Sequence, residues 1–158
     1  ISYCYYPPIG QRSFGPLRAG LVSKKDYYEN ANSEIVSFAM VETKEAVENI
    51  DEILSVPNLT GIYIGPSDLC SSYGFKPQFD IKHDPLFSKI KMICEKTLKA
   101  NKIPGIHNGS TKYTKEMINL GFRFLTISSD FRFLSTYAES IIQEMKNTNQ
   151  KKSENDTY

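Results

Sequence analysis

The sequence predicts a parallel α/β fold of four βα units, and three observations carry that prediction. Four short segments are rich in apolar and β-prone residues. Each is followed by apolar residues at helical spacing, or by a turn that leads into such a stretch. The apolar segments are continuous and not alternating, as in strands covered on both faces. Strands that alternate with helices run parallel, because a parallel neighbour needs a crossover connection.

The first unit opens with Ile35–Glu42 (IVSFAMVE), a predicted strand that ends on a lone carboxylate. Thr43–Ser55 reads as its helix. Thr43 is placed to cap it, Ala46, Val47, Ile50, Ile53 and Leu54 follow helical spacing, and Glu45 and Glu48 sit in the early turns, where negative charge is favoured. Thr60–Pro66 (TGIYIGP) is the second strand. A long loop is expected after it, then a helix carrying Leu86, Ile90, Ile93, Thr97 and Leu98, with Pro85 at its opening. Lys102–Ile106 is the third strand. Thr111–Leu120 is its helix, with Gly121 as the C-terminal cap. Phe122–Ser129 is the fourth strand, and Phe131, Leu134, Ala138, Ile141 and Met145 form the stripe of a last helix. Residues 1–31 hold Pro7, Pro8, Gly10, Gly15, Pro16 and Gly20, and read as loop with one helical turn around Lys24–Asn30. The polar stretch 147–158 has no apolar spacing and is expected to be a disordered tail after a domain spanning 1–146. Four βα units are compatible with an open sheet or with half of a (β/α)8 barrel, which typically runs to about 250 residues.

Composition narrows the function. Nineteen basic and 18 acidic residues give a net charge of +1. No basic stripe or charge block calls for a nucleic acid or an anionic membrane surface as partner. The apolar runs are strand-sized, too short for a transmembrane helix. Cys4, Cys70 and Cys94 are odd in number and widely spaced, so neither a zinc site nor a disulfide framework is indicated, and a reducing, cytoplasmic setting is expected. No GxGxxG, phosphate-binding lysine loop or CxxC occurs.

In a parallel α/β fold, functional groups gather where strands end. That rule selects Glu42, Asp68, Asn108, Ser110, Ser128, Ser129 and Asp130. Glu42 and Asp68 end adjacent strands, which lie about 4.8 Å apart, and two carboxylates brought so close repel unless a cation or proton joins them. Their oxygen donors suit Mg²⁺, or Mn²⁺ and similar ions, better than zinc. Helix and turn capping would explain the same two residues without a metal. Gly65-Pro66-Ser67-Asp68 could offer the amides of Ser67 and Asp68 to an anion, and is equally the composition of a turn. Arg12 is read as a solvated surface arginine, and His83 and His107 as loop histidines, with His107 towards the active end.

Taken in order, these residues resemble the HpcH/HpaI aldolase and citrate lyase family. Tyr6-Pro7-Pro8-Ile9-Gly10-Gln11-Arg12 is similar to its YPPxGxR stretch, Val41-Glu42-Thr43 to its IET segment, and Gly61-Ile62-Tyr63-Ile64-Gly65-Pro66-Ser67-Asp68-Leu69 to its DGvfiGPsDL segment. Gly74, His83-Pro85, Pro104-Gly105-Ile106 and Ser128-Ser129-Asp130 continue the match. The resemblance implies that the chain supplies the C-terminal half of a TIM (β/α)8 barrel. It also implies class II aldol chemistry, the cleavage of a 4-hydroxy-2-oxo acid to pyruvate and an aldehyde, and a homo-oligomer with exchanged C-terminal helices. Glu42 and Asp68 would be the metal ligands, for Mg²⁺ first and Mn²⁺ or Co²⁺ as substitutes. Gly65, Pro66, Ser67 and Asp68 would bind the substrate. A lyase acting on an acyl-CoA, or a non-catalytic remnant of the fold, are the alternatives.

Met40 stands where the family has glutamine, and Thr60 where it has aspartate. The family's catalytic histidine and arginine belong to strands that precede Ile1, so the resemblance assigns no catalytic residue to this chain. The isolated 158 residues are accordingly expected to release little or no pyruvate from a 4-hydroxy-2-oxo acid; a coupled dehydrogenase assay measures this, and robust turnover would overturn the expectation.

Overall fold

A computed structural model describes residues 1–23 and 26–155, with side chains through Lys146. The chain divides into two compact units, Ile1–Thr126 and Ile127–Tyr158. The opening stretch of the first is more folded than its proline and glycine content predicts. A 3-10 turn at Ser2–Cys4 precedes two short helices, α1 (Leu17–Val22) and α2 (Tyr27–Glu34). The helix therefore falls later than the expected turn at Lys24–Asn30, of which Lys24 and Lys25 lie outside the described residues. Aromatic packing organises this segment. Tyr6 is 1% exposed and meets the rings of Phe14, Tyr27 and Tyr28 at centroid distances of 5.7, 6.5 and 5.4 Å. Asn32 pins the same residue by accepting from its N–H (2.7 Å) and donating to its carbonyl (3.1 Å).

The βα units follow in the predicted order, with shifted boundaries. Strand β1 spans only Phe38–Val41. Thr43 caps the next helix as expected, its hydroxyl accepting from the Ala46 N–H at 3.0 Å. The predicted Thr43–Ser55 helix is two pieces, α3 (Lys44–Glu48) and α4 (Ile50–Ser55). They join at Asn49, a poor helix former whose ψ of 16° leaves the helical region. Strand β2 is Gly61–Ile64, and a helix the sequence reading missed, α5 (Pro66–Ser72), begins immediately after it with Pro66 in its first turn. Proline suits that position because its missing N–H would have had no intrahelical acceptor. Helix α6 is Leu86–Lys99. Strand β3, Ile103–Asn108, runs two residues further than predicted and takes in His107 and Asn108. Helix α7 (Thr111–Leu120) ends on Gly121, whose φ of 106° is the left-handed cap that glycine was assigned. Strand β4 is Phe124–Ile127.

In the second unit, α8 spans Asp130–Asn155, past Lys146, where the sequence reading expects disorder. Residues 147–155 contain neither glycine nor proline to stop a helix already nucleated, while 156–158 lie outside the described residues. No described helix is long and apolar enough to cross a membrane.

The sheet order is β1-β2-β3-β4, with β1–β2 and β2–β3 parallel. One face carries Val41, Ile62, Ile64 and Ile106, each 0% exposed, against Ile50 and Leu54 of α4, Ile90 and Ile93 of α6 and Met117 of α7. The other face is concave and aromatic. Phe38 on β1 and Phe124 on β4 stack with centroids 4.7 Å apart, although three strand spacings, about 14 Å in a flat sheet, separate their backbones. Tyr63 on β2 sits beside Phe124 at 5.6 Å. Glycines make room for these rings. A Cβ on Gly105 would stand 3.0 Å from Tyr63 Cδ2 and 3.1 Å from Phe124 Cδ1, and one on Gly61 would stand 2.6 Å from Phe38 Cε1. The curvature is therefore written in an alternation of ring and glycine across neighbouring strands.

Candidate active site

The C-terminal ends of β1 and β2 bring the two predicted carboxylates to one place. Val41 pairs with Ile64, so Glu42 and Gly65 are the next residues along. Glu42 follows its strand directly and is half-buried; Asp68 lies in the first turn of α5 and is exposed. A Cβ built on Gly65 would stand 2.7 Å from Glu42 Oε2 and 3.2 Å from Glu42 Cβ. The missing side chain at Gly65 is what lets the Glu42 carboxylate lie across the end of β2. On the far side of Gly65 opens a cavity of about 240 Å³ lined by Met40, Tyr63, Ser67, Asp68, Phe79 and His107, together with Gly65 and Pro66.

Among the described residues no group of three or more His, Cys, Asp or Glu side chains could hold a metal. What the strand ends offer is a pair of carboxylates with space between them. That donor set suits a hard cation that keeps several water or substrate oxygens, as Mg²⁺ does. The first-turn amides of α5 lack intrahelical acceptors by their position, which leaves the Ser67 and Asp68 N–H groups for an anion.

The other predicted strand-end residues have structural duties. Asn108, 0% exposed, donates to the Ile106 and Thr126 carbonyls at 3.2 and 3.0 Å and ties β3 to β4. Ser110 caps α7 by accepting from the Tyr113 N–H at 3.2 Å. In the second unit, Ser129 accepts from Arg132 N–H and Asp130 from Phe131 N–H, both at the start of α8, and Ser128 takes a φ of 53°. Arg12 is not a solvated arginine. Its guanidinium lies 4.6 Å from the Tyr6 ring centroid and donates to the Tyr27 hydroxyl at 2.9 Å. His83, exposed, hydrogen-bonds Gln78 at 3.1 Å. Tyr63 and Phe79, which line the cavity, went unnoticed in the sequence. Tyr63 was within reach, because it lies two residues before Gly65 and so faces the same side of the sheet.

A roomier groove of about 490 Å³, lined by Leu54, Ser55, Lys96 and Ala100 among others, lies at the C-terminal ends of α4 and α6, the opposite end of the sheet from both carboxylates.

Residues 1–132 match the HpcH/HpaI aldolase/citrate lyase family. The chain belongs to this family. Among its relatives, the hydroxypyruvate/pyruvate aldolase of Rhizorhabdus wittichii is 38% identical over 145 residues, covering 92% of this chain and 58% of the relative. The 4-hydroxy-2-oxo-heptane-1,7-dioate aldolase of Shigella flexneri is 30% identical over 148 residues, covering 90% of this chain and 54% of the relative. The crystal structure of an HpcH/HpaI aldolase from Desulfitobacterium hafniense superposes with a TM-score of 0.82 at 23% identity, over 92% of this chain and 57% of that one. The chain thus spans between half and two thirds of the length of these HpcH/HpaI relatives, and its fold is four parallel βα units of a partial (β/α)8 barrel. The concave aromatic face is then the side that faces a barrel interior, and the Glu42–Asp68 cavity sits at the strand ends where barrel active sites are built.

Proposed function

We propose that this chain is the metal- and pyruvate-binding portion of a class II aldolase, which cleaves a 4-hydroxy-2-oxo acid to pyruvate and an aldehyde and runs the reverse addition. The observation that carries the reading is the Glu42 carboxylate lying over Gly65 at a cavity that Asp68 also lines. Glu42 and Asp68 would hold the divalent cation, Mg²⁺ first among candidates, with Mn²⁺ or Co²⁺ as substitutes. When bound, the cation supplies positive charge beside the 2-oxo group, towards which the electrons of the breaking carbon–carbon bond are drawn. Gly65 and Pro66 leave the end of β2 open to the 2-oxo acid. The Ser67 and Asp68 amides take its carboxylate, and this orients the acid before the bond breaks. Met40, in the glutamine position, presents a thioether where an amide would donate a hydrogen bond, so the pocket holds its substrate with one fewer polar contact.

The three free thiols fit a reducing compartment such as the cytoplasm. The exposed Phe131, Leu134 and Met145 of α8 fit helix exchange with a second copy.

Calorimetry with Mg²⁺ and pyruvate tests the reading. Pyruvate is expected to bind only with the cation present, and Glu42→Ala or Asp68→Ala to weaken the cation by on the order of 100-fold or more, since each removes one of two charged ligands. Unchanged cation binding in both folded variants would place the metal elsewhere.

A further inference from the structure

The cavity beside Asp68 has two unlike ends. Glu42, Gly65, Ser67 and Asp68 make one. At the other, β2, β3 and β4 each present a polar side chain on an otherwise aromatic surface. His107 Nδ1 shares a hydrogen bond with Thr126 Oγ1 at 2.7 Å and with the Tyr63 hydroxyl at 3.3 Å, and that hydroxyl also bonds Thr126 Oγ1. Phe79 packs edge-on against the imidazole, with centroids 4.9 Å apart. His107 and Tyr63 both line the cavity and neither is fully buried. A polar trio among aromatic rings costs desolvation that apolar side chains would avoid. Its members come from three neighbouring strands, so their positions are set by the sheet and are preorganised for a ligand.

We propose that His107, held by Tyr63 and Thr126, is a specificity-determining residue that selects an acceptor aldehyde bearing a hydroxyl group next to its carbonyl. This rests on the aldolase reading above. The carboxylate and oxo group of the pyruvate portion are taken at the Glu42–Asp68 end, so the substituent contributed by the aldehyde is the part left to meet the opposite wall. There Met40 and Phe79 offer apolar contact to any chain, and the hydrogen-bonded trio rewards an oxygen. A site built to hydrogen-bond a hydroxyl also rejects the analogue that lacks it.

The test compares three ligands by calorimetry on the full chain with excess Mg²⁺: pyruvate, 4-hydroxy-2-oxopentanoate and 4,5-dihydroxy-2-oxopentanoate. The last two differ by one hydroxyl on the aldehyde-derived carbon. The dihydroxy acid is expected to bind about fivefold to tenfold tighter, the worth of one good hydrogen bond. In His107→Leu and in Tyr63→Phe the ratio should fall below about twofold. A ratio reports selection directly, whereas a general loss of structure weakens both ligands together. If His107→Leu does not fold, Tyr63→Phe, which removes a single oxygen, carries the comparison. Equal binding of the two acids by the unsubstituted chain, or a ratio that survives in the folded variants, overturns the assignment. Failure of pyruvate itself to bind overturns the aldolase reading, and this proposal with it.

Discussion

Gly65→Ala is expected to weaken divalent-metal binding by roughly 10- to 100-fold while changing stability by less than about 1 kcal/mol. The backbone at Gly65 has φ −94° and ψ 91°, a conformation open to an L-residue, so alanine brings no backbone strain. The clash is local. The new Cβ would stand 2.7 Å from Glu42 Oε2, the far end of a flexible side chain, which can swing away at little cost to the fold. Swinging away is what the metal cannot tolerate, because Glu42 supplies half of the charged donors. Alanine also lowers the entropy of the unfolded chain, which offsets much of the lost packing. Urea denaturation and metal calorimetry on the same sample separate the two effects. A variant that unfolds several kcal/mol more easily, or one that binds metal as before, would refute the role given to Gly65.

Ile64→Ala, one residue earlier, is expected to do the reverse, costing about 2–5 kcal/mol of stability, as large-to-small core substitutions do. Ile64 is 0% exposed on the helix-covered face of β2, in the cluster with Val41, Ile62, Ile90 and Ile106. Against a total stability of about 5–15 kcal/mol for an ordinary domain, that loss is severe. Met40→Ala on the neighbouring strand is the control. Met40 is 52% exposed on the concave face, so truncation should cost about 1 kcal/mol or less. A shift in the urea midpoint with an unchanged slope measures both. Comparable losses at Ile64 and Met40 would mean that the two faces of the sheet are not distinguished as described.

Much of the architecture was legible because its signals are local. Thr43 caps α3, Gly121 adopts the left-handed conformation that ends α7, and the apolar residues of α6 fall on its buried side. Each depends on a few successive residues. The misjudged boundaries share a cause as well. Pro66 was read as the end of a strand when it opens α5, since proline is equally at home in a turn and in the first helical turn. His107 and Asn108 were placed beyond β3 because a strand's length is set by the pairing of its neighbours, which a single segment does not encode.

The candidate site divides in the same way. The sequence alone determined the order of βα units and placed Glu42 and Asp68 at equivalent strand ends, because burial periodicity and strand termination are properties of contiguous residues. Only the tertiary structure decided that Gly65 is the gap over which the Glu42 carboxylate lies, that Phe38 and Phe124 meet across a curved sheet, and that Tyr63, His107 and Thr126 form one hydrogen-bonded wall. Those contacts join residues 23 to 86 positions apart, and they depend on strand register and sheet curvature, which arise only when all four strands pack together.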